Sequence, residues 1–108
     1  MKEIRAYIQP FMLSRVTQAL EDIPGFPGMS VSACEGFGEG KVRSGQDYQP
    51  FFPKTRIEIF ATDDLVEQIV EAVLREARSG QHGDGKIYIM DVVEGARIST
   101  RERGADIT

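Results

Sequence analysis

Apolar and polar residues alternate over residues 2–9, KEIRAYIQ: Ile4, Ala6 and Ile8 fall on one side, Arg5, Tyr7 and Gln9 on the other. A period of two predicts a half-buried strand, which Pro10 ends by withholding a backbone donor. From Leu13 the period lengthens. Leu13, Val16, Leu20 and Ile23 recur at helical spacing, with Arg15, Gln18 and Glu21 turned outward, the pattern of an amphipathic helix. Pro24-Gly25-Phe26-Pro27-Gly28 then stops the helix and turns the chain. A second strand is predicted over 29–38, MSVSACEGFG, and a third over 55–61, TRIEIFA, with Ile57 and Ile59 on one face. The stretch from Glu39 to Pro53 is polar, punctuated by glycine and without clear period, so it predicts a protruding loop.

Thr62-Asp63-Asp64 predicts a second helix start, with Glu67 placed as the capping-box partner of Asp64. Leu65, Ile69, Val73 and Ala77 form its inner stripe to about Arg78, and Gly80 is suited to end it. GKIYIMDVV, opening at Gly85, is the fourth strand. The order β-α-β-β-α-β is the split arrangement of a ferredoxin-like α+β fold: a four-stranded antiparallel sheet with both helices on one face. One domain spans 1–108, with the protruding loop over about 38–53. The uncovered face would carry Tyr7, Arg56, Glu58, Phe60 and Tyr88, a mixed set that predicts self-association.

Composition narrows the classes. The chain has 108 residues, 41% hydrophobic and 28% charged, the balance of a globular domain rather than a disordered or membrane chain. No apolar run approaches the roughly 20 residues that span a bilayer, and MKEIRAYIQPF lacks the continuous apolar core of a secretory signal. A single cysteine, Cys34, excludes an internal disulfide framework and fits a reducing compartment, so a cytoplasmic location is expected. The net charge of -4 argues against a nucleic-acid surface, yet a small anion needs only a local cluster of donors.

Such a cluster is available. Glycines let successive N–H groups converge on an anion, and Gly83-Asp84-Gly85-Lys86 adds a cation directly after. The same residues also read as an ordinary helix-to-strand turn, and they lack the GxxxxGK[ST] spacing of a Walker loop. Gly36-Phe37-Gly38, at the end of the second strand, would allow close approach of a ligand or would simply release the chain into the loop. Lys54, Arg97, Arg101 and Arg103 are the basic residues suited to phosphate oxygens, or else solvated surface charges. His82 and Cys34 raise a metal reading, but no further ligands stand at recognisable spacing. With one His, no nucleophile–base arrangement is visible, capping accounts for Asp63 and Asp64, and no catalytic residue is assigned.

MKEIRAYIQPFML, GMSVSACEGFG, FFPKTRIEIF, ARSGQHGDGKIYI and ARISTRERG, in that order and spacing, resemble the PII signal-transduction family over nearly the whole chain. The resemblance implies a homotrimer that is not an enzyme. It implies adenine nucleotide, ADP, AMP or ATP, as a regulatory ligand in clefts between subunits, with no cofactor required. It further implies a mobile loop that controls a transporter or another regulatory protein, without membrane insertion. On this comparison Gly36, Phe37 and Gly38 match the start of the mobile loop, and Lys54 and Glu58 match the family segment PK-x-[KR]-I-E-I. Gly83, Asp84, Gly85 and Lys86 match the phosphate-side loop, and Arg97 the first Arg of RIRTGERG. Ser30 stands where a Thr contacts the adenine side. Glu39, Lys41, Arg43 and Tyr48 belong to the partner-binding loop, Tyr48 near a modifiable tyrosine.

The departures from the family pattern are specific. Where members have GFGRQKG this chain places Glu39 and Gly40, losing an Arg and the Gln that helps bind Mg-ATP with 2-oxoglutarate. Ser99 replaces the second Arg of RIRT, and the loop is about five residues shorter than the usual pattern. Lost donors penalise a γ-phosphate most, which marks the chain as a divergent PII-like protein. The alternative is a metal-responsive or ligand-independent trimeric module of the same fold, associated with metal tolerance or efflux.

Overall fold

The computed structural model of the chain describes residues 1–37 and 50–108. Strands β1 (Lys2–Ile8), β2 (Ser30–Phe37), β3 (Phe51–Ala61) and β4 (Gly85–Asp91) alternate with helices α1 (Leu13–Glu21) and α2 (Val66–Ala77) in the expected order. The sheet is antiparallel throughout, in the spatial order β2-β3-β1-β4. This is the ferredoxin-like α+β arrangement. Among the described residues, no helix is long and apolar enough to cross a membrane.

Alternation along β1 and β3 decides where the core lies. Ile4, Ala6 and Ile8 of β1 and Ile57, Ile59 and Ala61 of β3 are buried on one face. Against them pack Val16 and Leu20 of α1 and Ile69, Ala72, Val73 and Ala77 of α2. Both helices therefore cover one face of the sheet and bury its apolar rows, as two-layer packing requires. The opposite face keeps Tyr7, Arg56, Glu58, Phe60 and Tyr88 uncovered, as the alternation predicts. Arg5 bridges Glu3 at 2.8 Å and Glu58 at 3.8 Å, Arg56 meets Glu58 at 3.0 Å, and the Tyr7 and Tyr88 rings stand edge to face at 6.4 Å.

Several boundaries differ from the sequence reading. The third strand begins at Phe51, so residues 51–53 belong to β3 rather than to the loop. Pro53 is tolerated there because β1 reaches only as far as Thr55, leaving this part of β3 paired on one side by β2. The second strand starts at Ser30, one residue later than the apolar pattern implied, and the fourth ends at Asp91, two residues short of it. Both helices start through a 3-10 turn, Pro10–Met12 and Asp63–Leu65. No side-chain cap bond forms at Thr62 or Leu65; instead Asp63 receives the Met1 ammonium at 3.1 Å. The capping box is lost because the 3-10 turn takes up Asp64 and leaves Leu65, which has no side-chain acceptor, at the N-cap of α2. Helix α2 ends at Ala77 because Arg78 is already extended, which leaves Gly80 inside the following loop rather than at the cap. A two-stranded ribbon, β5 (Gly95–Ala96) with β6 (Arg103–Gly104), was not predicted, since two-residue strands carry no readable period.

Candidate functional site

Register brings three segments to one end of the sheet. Ile8 pairs with Thr55 on one side and Gly85 on the other, so the next residues, Gln9, Lys54 and the loop before Gly85, emerge together. Gln9 donates to the Gly83 carbonyl at 2.7 Å, and the Lys54 ammonium donates to the same oxygen. One carbonyl thus anchors the loop to two strands. Gly36 belongs to this end as well: a Cβ there would meet Lys54 Cγ at 3.5 Å, so its lack of a side chain leaves room along the lysine stem.

The loop is closed from inside by Asp84. Its carboxylate accepts from the Ser79 backbone N–H at 2.7 Å, the Gly80 N–H at 2.9 Å and the Ser79 hydroxyl. Hydrogen bonding to that hydroxyl, then to the backbone amides of Ser79 and Gly80, lowers the Asp84 pKa below its ordinary 3.8. Asp84 therefore shapes the loop from within. Because the folded-state value is depressed, this stabilisation is complete above the ordinary value and is lost as pH falls through the folded one. Carbon NMR of the Asp84 carboxyl should give a midpoint below 3.8, and a midpoint at or above 3.8 would contradict the clamp.

Lys86 follows two residues later, in the sheet row Lys86–Tyr7–Arg56–Ser32. Strand alternation puts it on the uncovered face, on the same side as Lys54. Gly83, Gly85, Lys86, Lys54 and Gly36 thus form one group. Gly85 and Lys86 also line a cavity of about 160 Å³, whose other walls include the aliphatic Val73, Leu74, Ala77 and Ile87 together with Arg78 and Asp84.

Ser30 and Glu58 lie elsewhere. They pair directly across β2 and β3 and line a second cavity of about 210 Å³ with Gly28, Met29, Phe60 and Thr108. Ser30 and Lys86 stand on the two edge strands, three strand spacings or about 14 Å apart across the sheet and two residues, about 7 Å, apart along it. Lys54 and Glu58 are four residues apart along β3, about 13 Å. Arg97 stands on the β5–β6 ribbon, where its N–H donates to the Glu102 carbonyl at 2.8 Å and its guanidinium meets the Glu102 carboxylate at 3.3 Å. The predicted residues therefore fall into two separate groups and an arginine arm, not one closed pocket.

Phe37 and Phe51 face each other at the loop base with ring centroids 5.6 Å apart. Gly38, Glu39, Lys41, Arg43 and Tyr48 lie outside the described residues. His82 is exposed on the loop before β4, and Cys34 of β2 pairs with Lys54 of β3; among the described residues no three His, Cys, Asp or Glu side chains gather as a metal-ligand set. Sequence reasoning missed Gln9 and Ser79, whose roles depend on register and loop closure. It also missed Thr108, brought to the second cavity only by the fold of the last residues.

Comparison with known proteins gives the family. The family model for nitrogen regulatory protein P-II matches residues 1–102. A nitrogen regulatory protein P-II of Bradyrhizobium diazoefficiens is 41% identical over 111 aligned positions, covering 98% of each chain. That of Klebsiella oxytoca is 43% identical over 94% of this chain and 95% of its own. Nitrogen regulatory protein P-II 1 of Escherichia coli is 42% identical over the same shares. With the family model matching residues 1–102 and relatives 41% to 43% identical along nearly the whole chain, the chain belongs to the nitrogen regulatory protein P-II family, a family of signal-transduction regulators.

Proposed function

We propose that the protein is a homotrimeric regulator that binds an adenine nucleotide between copies of the chain. The phosphates sit at Gly83, Gly85, Lys86 and Lys54 of one copy, with Gly36 leaving them room. The base sits at Ser30 and Glu58 of the next, and Arg97 supplies a further cation. The segment that includes Gly38, Glu39, Lys41, Arg43 and Tyr48 then engages a partner, a membrane transporter or another regulatory protein, according to the ligand bound.

The observation that carries this reading is the separation of the half-sites. A glycine-rich loop with two lysines occupies one end of the uncovered sheet face, and a polar-edged cavity occupies the other. Neither encloses a nucleotide alone, and a second copy on the same face would bring the end of one to the end of the other. That face suits a partner chain. It holds the exposed Tyr7–Tyr88 pair, and Arg56 buries its Nε without a hydrogen-bond partner among the described residues. Val93 and Ile98, 91% and 95% exposed around the ribbon, add apolar surface for such contact.

Ligand choice follows from the donors. Glu39, Gly40 and Ser99 stand where the family pattern carries Arg, Gln and Arg, so a γ-phosphate loses the most. Calorimetry with AMP, ADP and ATP should show binding in which the third phosphate adds no affinity. Lys86→Ala should weaken ADP by about tenfold to a hundredfold, the worth of one charge-assisted hydrogen bond. A wild-type chain that binds none of the three nucleotides would refute the reading.

A further inference from the structure

The last residues of the chain form a wall of the Ser30–Glu58 cavity, and a single peg holds them there. In the ribbon Gly95 and Gly104 stand directly opposite each other, so the pair presents a flat notch without side chains. Ile107 packs into that notch. A Cβ on Gly95 would come within 3.0 Å of the Ile107 carbonyl oxygen, 3.3 Å of its Cβ and 3.4 Å of Met1 Cε, and one on Gly104 would lie 4.0 Å from Ile107 Cγ1. Ile107 is half-buried, whereas Asp106 and Thr108 on either side are exposed. The anchor is an aliphatic side chain in a glycine socket, and it sets Thr108 against Gly28, Ser30, Glu58 and Phe60.

We infer that Ile107, seated between Gly95 and Gly104, is a positioning residue that holds Thr108 as a wall of the base half-site and so governs how long a planar base stays bound. The inference rests on the adenine-nucleotide reading above and adds to it a determinant on the base side alone. The socket also belongs to the ribbon that carries Arg97, one residue after Ala96, so tail and arginine arm share one support. Met1 closes the back of the socket, and its carbonyl accepts from the Val92 N–H at 3.1 Å, which ties that support to the start of β1.

The socket can be emptied from either side. Ile107→Ala removes the peg, and Gly95→Ala fills the notch against it; Ile107→Ala leaves the ribbon backbone untouched should Gly95→Ala perturb it. With ADP as the probe, both variants should bind about threefold to tenfold more weakly, through faster dissociation in stopped flow. With pyrophosphate, which has no base, both should match the wild type. Lys86→Ala should weaken both probes. ADP affinity equal to or tighter than wild type in Ile107→Ala would overturn the tail's role while leaving the nucleotide reading intact. Equal weakening toward pyrophosphate would overturn the assignment to the base half. Absence of ADP binding by the wild type would overturn both readings.

Discussion

Gly85→Val destabilises the fold by about 4 kcal/mol or more, enough to leave little native protein, because it sets a side chain into backbone. A Cβ on Gly85 would lie 1.7 Å from the Tyr7 carbonyl oxygen and 2.8 Å from its carbon. Its φ of +107° adds strain for any other residue. The clash cannot be relieved by a rotamer change. Gly85 pairs with Ile8 at the start of β4, and β1 is held between β3 and β4 from Lys2 to Ile8. Moving Tyr7 would break both ladders. Gly80→Ala is the matched control: its φ of +88° is also positive, but nothing lies within 4 Å of the added carbon. It should cost only the strain, about 1 kcal/mol. Urea denaturation followed by circular dichroism checks the pair, and a Gly85→Val midpoint near wild type would show that the loop joins β4 differently.

The second large effect concerns the two lysines. Replacing both Lys54 and Lys86 by Ala should weaken ADP by about a hundredfold to ten-thousandfold, two charge-assisted contacts being removed together. Lys54 carries a second role, since its ammonium holds the Gly83 carbonyl in the structure. Gln9 bonds the same carbonyl at 2.7 Å, so the loop keeps an anchor when the lysine turns toward a phosphate. Lys54→Gln separates the roles. It preserves an amide donor for Gly83 and removes the charge, and it should bind ADP no better than Lys54→Ala. Recovery to wild-type affinity in Lys54→Gln would mean that Lys54 acts through the loop alone.

Much of this architecture is legible in the residue pattern, and the exceptions have physical causes. The β1 alternation and the stripe Ile69, Val73, Ala77 predict buried faces correctly because burial of one face imposes the period. Residues 51–53 read as loop because the stretch from Glu39 carries no clear period, yet they pair with β2, and one-sided pairing makes Pro53 harmless. The Asp64–Glu67 capping box fails because a 3-10 turn takes up Asp63–Leu65 and puts Leu65, which has no side-chain acceptor, at the N-cap of α2. For the candidate site, the glycine loop and lysines were readable as a cluster, while Gln9 and Ser79 required the register. Asp84 was grouped with ligand-binding residues by its place in the sequence; the structure turns its carboxylate back on Ser79 and Gly80. The ribbon and its Ile107 peg could not be read, because the notch is made by two glycines nine residues apart whose meeting only the fold discloses.

The central claim is that phosphate and base half-sites from different copies make one nucleotide site. Two chains, each defective in one half, test it most directly. Lys86→Ala keeps the base half, and Ser30→Trp, at the exposed start of β2, blocks it while keeping the phosphate half. Each alone should form trimers with little ADP binding. Unfolded together in equal amounts and refolded, they should regain wild-type affinity at about a quarter of the sites, wherever an intact half of one faces an intact half of the other. Mixed trimers that bind no more ADP than either parent would place both halves within one chain and contradict the account.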